Sequence, residues 1–305
     1  MRFRILQRIS VWVVCLLTAV MALCEEGESR LQWDVLPDLP DPIGVAGPFV
    51  GVHNDALIVA GGANFPVAEG EDLWQVPKVW HAATHVLVRR GQGYVWKRGA
   101  ALVQPAGYGM SVSTADGVLC LGGNDGKTAF DAVFRLEWDQ GKLTQTELPR
   151  LPKACAGGAA ALVGNMVYVA GGHGKGGLAS AMKNFWRLNL ADANAEWEEL
   201  PGWPGPARAY NQLAAQHNGR EVCLYLIGGR YQKEDVQGDA GIVALGDVHE
   251  FSPTRHASGR AEGWRKRRAA PKPIMAGTAV DVGQSHVFVM GGADGELMKQ
   301  IVADP

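Results

Sequence analysis

Five short apolar runs that each end on a pair of glycines limit how this chain can fold more than any other feature. The runs are "ALIVAGG", "GVLCLGG", "MVYVAGG", "CLYLIGG" and "HVFVMGG". The pairs are Gly61 and Gly62, Gly122 and Gly123, Gly171 and Gly172, Gly228 and Gly229, and Gly291 and Gly292. Their first glycines are 61, 49, 57 and 63 residues apart. Periods near 50 residues indicate an array of similar supersecondary units.

Each apolar run follows a strand of small residues and a polar turn, as in "YGMSVSTADG" and "AYNQLAAQHNGR". Asp-Gly and Asn-Gly turns between such runs predict β-hairpins. Two further strand-like runs follow most pairs, for example "THVLVRR" and "GYVWKRG". Four short strands per period, repeated radially, form the blade of a β-propeller. We therefore predict an all-β propeller over residues 25–305.

The propeller explains why the repeat has these residue types. Inner strands crowd around the axis and favour small side chains, whereas the second strand is buried on both faces and is continuously apolar. A glycine pair allows φ > 0 where the chain turns close to a neighbouring backbone. The aromatic rings of Trp96, Trp138 and Trp197 are predicted to fill the widening space between blades.

The fifth unit is expected to be unfinished, because few residues follow Gly292. Trp33 in "LQWDVLP" resembles the end of a blade, although it comes first. An N-terminal strand can complete the last blade of a propeller and so remove exposed sheet edges. Two arrangements remain: a five-unit ring closed by Trp33, or a sequence that stops before a sixth blade. We favour the second.

The first 24 residues have the pattern of a secretory signal peptide. Three arginines among the first eight residues precede an uncharged stretch over residues 9–24, and acidic Glu25 follows. We expect cleavage after Cys24, a periplasmic or secreted protein, and no lasting membrane insertion. The alternatives are an uncleaved anchor, for which the stretch is shorter than the ~20 residues that a bilayer requires, and a lipoprotein acylated at Cys24.

Charge, cysteine spacing and histidine spacing argue against nucleic acid binding, a disulfide framework and a metal site. The formal net charge of −2 gives no general attraction to nucleic acid. Cys120, Cys155 and Cys223 are scattered, and they fit neither a disulfide framework nor a metal site. His81 and His85 are four residues apart but lack the glutamate of the helical zinc motif, so a structural role is favoured. No metal is expected.

Two other motifs have simpler explanations than ligand binding. "GGHGKGG" at residues 171–177 has the glycine spacing of a dinucleotide-binding loop, but the repeat already accounts for its first two glycines. No βαβ unit surrounds it, so no cofactor is expected. The basic run "WRKRR" at residues 264–268 is predicted to be a solvated outer strand.

Polar residues near the starts of the inner strands are the candidate binding residues. In a propeller these loops converge on one mouth of the central channel, which suits a small molecule. The candidates are Asn64, Tyr108, Arg208 and Asn211. An arginine can bind a carboxylate in bidentate fashion. The alternative is that Arg208 pairs with an acidic residue of a neighbouring loop.

The repeat resembles the Kelch family over residues 31–305. More specifically, "PIGVAGPFVGVHNDALIVAGGANFP", "VPKVWHAATHVL" and "YGMS" resemble the N-acetylneuraminate epimerase (sialic acid mutarotase) branch, in its cyclically permuted form. The resemblance implies a six-bladed propeller whose last blade is incomplete or absent here. It also implies a secreted enzyme that interconverts the α and β anomers of this sugar acid. An acid/base carboxylate would open the ring, an arginine would hold the sugar carboxylate, and no cofactor would be used. Lys78 matches a lysine of these relatives.

Departures from the family pattern leave the catalytic residues unknown. The Gly-Glu-x-x-Pro-Gly-x-Arg-Thr motif, which carries the family's acid/base glutamate, has no match in this sequence. Ala106 replaces the arginine of the family's Gly-Arg-Ala-Tyr-Gly sequence. Glu69, Glu71 or Asp72 could substitute for the glutamate. The alternative function is a non-catalytic carbohydrate-binding or cell-surface interaction propeller, and an intracellular adaptor is disfavoured by the signal peptide.

Overall fold

Antiparallel strands form every repeat of the chain. The computed structural model describes residues 34–67, 70–71, 75–236, 238–259 and 263–296. The first eleven strands are β1 (Phe49–His53), β2 (Ala56–Ala60), β3 (Ala63–Asn64), β4 (Val79–Trp80), β5 (Thr84–Arg90), β6 (Gly93–Arg98), β7 (Met110–Thr114), β8 (Gly117–Leu121), β9 (Val133–Asp139), β10 (Lys142–Leu148) and β11 (Ala159–Val163). The next eleven are β12 (Met166–Ala170), β13 (Phe185–Asn189), β14 (Glu198–Glu199), β15 (Gln212–His217), β16 (Val222–Ile227), β17 (Arg230–Gln232), β18 (Ile242–Ala244), β19 (Val248–Phe251), β20 (Trp264–Lys266), β21 (Thr278–Val282) and β22 (His286–Met290).

Three short helical segments lie wholly within the described residues. They are α1 (Pro253–Ala257) and the 3₁₀ turns Gly177–Ser180 and Asp239–Gly241. Ser252 caps α1, since its hydroxyl accepts a hydrogen bond from the backbone N–H of Arg255. None of the described helices is long and apolar enough to cross a membrane.

The strands form successive blades of a propeller within the unit that covers residues 39–305. Four antiparallel sheets have the orders β1-β2-β5-β6, β7-β8-β9-β10, β11-β12-β13-β14 and β15-β16-β19-β20. A fifth unit is described as the hairpin β21-β22, and the small hairpins β3-β4 and β17-β18 follow the first and fourth glycine pairs. The predicted all-β propeller is thus confirmed.

The innermost strands contact one another in chain order, β1 with β7, β7 with β11, β11 with β15 and β15 with β21. They line a central channel of about 860 Å³. The second strands are the most buried, as expected for strands covered on both faces. All five residues of β8 are buried, for example.

The glycine pairs join each blade to the next. All ten glycines have φ between 58° and 105°. The N–H of Gly123 donates a hydrogen bond of 2.8 Å to the carbonyl of Cys155 in the following blade, and Gly62, Gly172 and Gly229 make equivalent bonds. A Cβ on Gly122 would lie 2.1 Å from that same carbonyl oxygen. The predicted positive φ and close backbone approach are both present.

A belt of backbone hydrogen bonds links successive blades where the chain enters the inner strands. Its five equivalent residues have φ between 56° and 62°, and four of them donate an N–H to the carbonyl of the preceding member over 2.5–2.8 Å. In chain order they are Gly47, Tyr108, Gly157, Tyr210 and Ala276. Positive φ is uncommon for a tyrosine. The belt therefore fixes the backbone of both tyrosines at this mouth.

Tryptophan packing agrees only in part with the sequence-based prediction. Trp138 is buried, but Trp96 and Trp197 are partly exposed. The side chains of Trp186 and Trp203 are instead fully buried. Trp186 lies on the third strand of its blade, and Trp203 lies in the connection to the next blade. Both side chains are buried because neighbouring sheets cover them.

Several other predictions can be compared with the described chain. Cys120, Cys155 and Cys223 are buried and unpaired, in agreement with the prediction that they form no disulfide framework. Arg265 and Lys266 lie exposed on the outer strand β20, which agrees with a solvated basic run. The signal peptide and Trp33 lie outside the described residues, so cleavage, localisation and ring closure stay predictions.

Candidate functional site

A cavity of about 650 Å³ opens at the mouth of the channel where the inner strands begin. Gly47, Gly109, Gly158 and Asn211 line both the cavity and the channel, so the two spaces are continuous. The main polar side chains of the lining are those of Lys78, Tyr108, Asn124, His173, Tyr210 and Arg230. Concave sites with a few convergent polar groups are typical of small-molecule binding.

The repeat itself places several of these side chains. Asn124, His173 and Arg230 each come directly after a glycine pair. The backbone of each pairs with the chain entering an inner strand, Asn124 with Gly107, His173 with Ala156 and Arg230 with Ala209. In these three repeats the residue after the glycine pair is therefore held beside the belt and lines the cavity.

One wall of the cavity contains a lysine surrounded by aromatic rings. The Lys78 ammonium donates a hydrogen bond to the Tyr108 hydroxyl. Its Nζ lies 4.6 Å, 5.2 Å and 5.7 Å from the ring centroids of Tyr108, Phe65 and Trp80. These are cation–π distances, which stabilise the charged ammonium in this position.

The other wall contains His173, Tyr210 and Arg230. His173 Nε2 is 3.2 Å from the Tyr210 hydroxyl oxygen, and the Arg230 Cζ lies 4.3 Å from the Tyr210 ring centroid. Burial lowers the pKa of His173, a contact with the Gly174 carbonyl opposes this change, and the Arg230 charge adds to the lowering. The Arg230 Nε is buried and has no hydrogen-bond partner among the described residues.

The lining of the cavity is strongly cationic. Lys127 and Lys175 lie at its exposed rim, in addition to Lys78 and Arg230 deeper inside. Among the described residues that line the cavity, none is an aspartate or a glutamate. The described site thus favours an anionic ligand.

Three of the sequence-predicted binding residues, Lys78, Tyr108 and Asn211, line this cavity. Asn64 does not, because its buried side chain is used within the protein. Its amide nitrogen donates to the Gly44 carbonyl over 2.9 Å, and its Oδ1 accepts a hydrogen bond of 2.7 Å from His81 Nε2. His81 therefore has the structural role that the sequence favoured.

The assignment of Arg208 to the channel mouth needs correction. Its side chain is fully buried and outside the cavity lining. Asp247 accepts two hydrogen bonds from the guanidinium, 2.6 Å from Nη1 and 2.8 Å from Nη2, and the Gly228 carbonyl accepts a third from Nη1. The alternative, that Arg208 pairs with an acidic residue of a neighbouring loop, is the one that the structure shows.

Arg230 is the arginine that sequence reasoning missed. The available signal was its place directly after the fourth glycine pair, in "GGRYQ", which matches the places of Asn124 and His173. Of the three candidate carboxylates, one lies among the described residues. Glu71 is exposed and outside the cavity lining, whereas Glu69 and Asp72 lie outside the described residues. No cluster of potential metal ligands occurs in the described part of the chain.

The fold and the site define a β-propeller with a cationic, aromatic-walled cavity at one mouth of its channel. The family model described as N-acetylneuraminate epimerase matches residues 14–145 and 148–305. The chain therefore belongs to the N-acetylneuraminate epimerase family.

Curated relatives with this name come from several bacteria. The protein of Yersinia pestis strain Pestoides F is 37% identical over 127 residues, which are 37% of this chain and 31% of the relative. That of Pasteurella multocida strain Pm70 is 31% identical over 160 residues, 52% of this chain and 36% of the relative. That of Haemophilus influenzae strain PittEE is 37% identical over 150 residues, which are 48% of this chain and 33% of the relative. The chain thus matches about a third of the length of each relative.

Proposed function

We propose that the protein is a periplasmic or secreted mutarotase that interconverts the α and β anomers of N-acetylneuraminate. The observation that carries this proposal is the cationic cavity at the channel mouth, with a buried and unpartnered Arg230 Nε in its wall. N-acetylneuraminate is a sugar acid whose carboxylate needs such a donor. Membership of the epimerase family supports the same substrate.

Arg230 is the proposed partner of the sugar carboxylate. Its guanidinium has a fixed array of N–H donors that suits bidentate binding. The Tyr210 ring, 4.3 Å from Cζ, holds the guanidinium plane in position. Asn124 supplies an amide group for the neutral hydroxyl and acetamido groups, whereas the Asn211 amide nitrogen already donates to the Ala170 carbonyl over 3.1 Å.

Proton NMR of sialic acid tests the activity directly. A sample enriched in one anomer equilibrates slowly by itself, and the full chain should accelerate this exchange in proportion to its concentration. An exchange rate that is independent of protein concentration would reject the mutarotase proposal. Calorimetric binding of the sugar without accelerated exchange would instead favour a carbohydrate-binding propeller, an alternative that the absence of a carboxylate from the described lining supports.

Replacement of Arg230 by methionine should weaken sialic acid binding by roughly 10–100-fold. A hydrogen bond to a charged group contributes about 1.5–3 kcal/mol, which corresponds to this range. Isothermal titration calorimetry measures the change. Arg265→Met, on the exposed outer strand, is the matched control and should bind with unchanged affinity. Equal affinities of the two variants would show that Arg230 does not hold the carboxylate.

A further inference from the structure

Two tyrosines that line the cavity occupy the same position of the repeat. Tyr108 and Tyr210 are members of the hydrogen-bonded belt, in the second and fourth blades, with φ of 57° and 56°. Both line the cavity. Each hydroxyl contacts a titratable side chain, Lys78 in one case and His173 in the other.

The two phenols have opposite roles in their hydrogen bonds. An ammonium nitrogen can only donate, so the Tyr108 oxygen accepts from Lys78 and its own O–H remains available to donate into the cavity. His173 Nδ1 is 2.9 Å from the Gly174 carbonyl oxygen, which can only accept. In the neutral imidazole the proton is therefore on Nδ1, and Nε2 accepts a hydrogen bond from the Tyr210 O–H.

We propose that Tyr108 is the acid and Tyr210 the base that open the sugar ring, with Lys78 and His173 as the groups that supply and receive the protons. The assignment rests on the proposed mutarotase function. It makes each tyrosine half of a proton relay, Tyr108 with Lys78 and Tyr210 with His173. The buried position of His173 favours its neutral, proton-accepting form.

The ring-opening step balances without any co-reactant. Tyr210 takes the proton of the anomeric hydroxyl while its own phenolic proton passes to His173 Nε2. Tyr108 gives its proton to the ring oxygen and receives one from Lys78. The bond between the anomeric carbon and the ring oxygen breaks, and the carbonyl double bond forms. The product is an open-chain ketone beside an imidazolium and a neutral amine.

Reclosure uses the same groups in reverse. After rotation about the bond to the carbonyl carbon, the released hydroxyl attacks the other face and returns its proton through Tyr108 to Lys78. His173 returns its proton through Tyr210 to the carbonyl oxygen, which becomes the new anomeric hydroxyl. All four side chains regain their starting states. The Arg230 guanidinium beside the Tyr210 ring stabilises negative charge that develops on the phenol during transfer.

Tyr108→Phe and Tyr210→Phe test the proposal because they remove only a hydroxyl and keep the ring. At saturating sialic acid each variant should exchange anomers about 100-fold more slowly or worse, the usual effect of losing a general acid or base. Affinity, measured by calorimetry, should change by no more than about tenfold, since hydrogen bonds between neutral groups contribute only modestly to net binding. Tyr94→Phe, on the half-exposed outer strand β6, is the matched control and should retain the wild-type rate.

The outcomes separate this proposal from the function on which it rests. If the wild-type chain does not accelerate exchange, the mutarotase function fails and the relay fails with it. If the wild type is active and both phenylalanine variants keep more than about a tenth of its rate, the relay alone is overturned.

A second measurement needs no turnover. The ¹⁵N shifts of the His173 imidazole, assigned with His173→Gln, should show the Nδ1–H tautomer in the wild-type protein. The Nε2–H tautomer would overturn the proposal, because His173 could then not accept the Tyr210 proton. Since this experiment uses the unmodified active-site tyrosines, it remains decisive if a phenylalanine variant does not fold.

Discussion

Replacement of Gly122 by alanine is expected to lower the free energy of unfolding by about 2–5 kcal/mol. A Cβ at this position would lie 2.1 Å from the carbonyl oxygen of Cys155, a backbone atom of the next blade that cannot move without opening the interface. Overpacking costs about 1–3 kcal/mol, and a left-handed conformation costs a non-glycine residue about 1–2 kcal/mol more. Urea denaturation of both proteins, monitored by tryptophan fluorescence, measures the difference.

Gly291→Ala is the matched control, because Gly291 occupies the same place in the fifth repeat. Its φ is 64°, close to the 61° of Gly122. No atom of the described residues lies within 4 Å of its Cβ position, however, so only the conformational cost of about 1–2 kcal/mol applies. Equal losses for the two variants would mean that the close approach between blades does not determine the cost at Gly122.

The glycine pairs show why so much of the fold could be predicted from the sequence. Their conformational requirement is local, since positive φ at Gly61 or Gly171 follows from the turn after a buried strand. The buried second strands follow in the same way from continuous apolar runs such as Val118 to Leu121. The number of units could be counted directly. The fully buried tryptophans could not be assigned, because their burial depends on neighbouring sheets.

The candidate site could be predicted only in part, because it joins residues from different repeats. Tyr108 was a candidate because of its loop and Lys78 because it matches a lysine of relatives, and both residues line the cavity. The contact between His173 and Tyr210 spans 37 residues of sequence and depends on how two blades pack. No pattern within a single repeat could reveal it.

Arg208 and Arg230 show that ion pairs between distant residues are equally hard to predict from the sequence. Arg208 lies just before the inner strand β15, and Arg230 comes directly after the fourth glycine pair. Either position is compatible with a side chain at the channel mouth. The deciding residue is Asp247, which is 39 residues from Arg208 and reaches it only because the fourth blade folds back. Sequence spacing alone could not show which arginine had an internal carboxylate partner and which kept a donor for a ligand.

Asp247→Asn is expected to lower the free energy of unfolding by about 3–5 kcal/mol at neutral pH, the usual cost of leaving a buried charge without its partner. The Arg208 side chain is fully buried, and Asp247 accepts hydrogen bonds from both of its terminal nitrogens. An asparagine offers one acceptor oxygen and no charge. Asp131→Asn, which breaks an exposed ion pair with Arg150, is the matched control and should cost about 0–1 kcal/mol.

The same pair predicts how stability depends on pH. Burial would raise the pKa of Asp247, but hydrogen bonds from Arg208 and His249 and their charges outweigh it and hold the pKa well below its usual range. A carboxyl group whose pKa is lowered by folding stabilises the protein fully above its unfolded pKa of about 3.9. That contribution is lost as the pH falls toward the folded pKa. The stability difference between wild type and Asp247→Asn should therefore be largest near pH 7 and shrink below about pH 4. Urea titrations of both proteins at several pH values measure this difference, and a gap that stays constant down to pH ~3 would mean that the Asp247 carboxylate is not stabilised by its contact with Arg208.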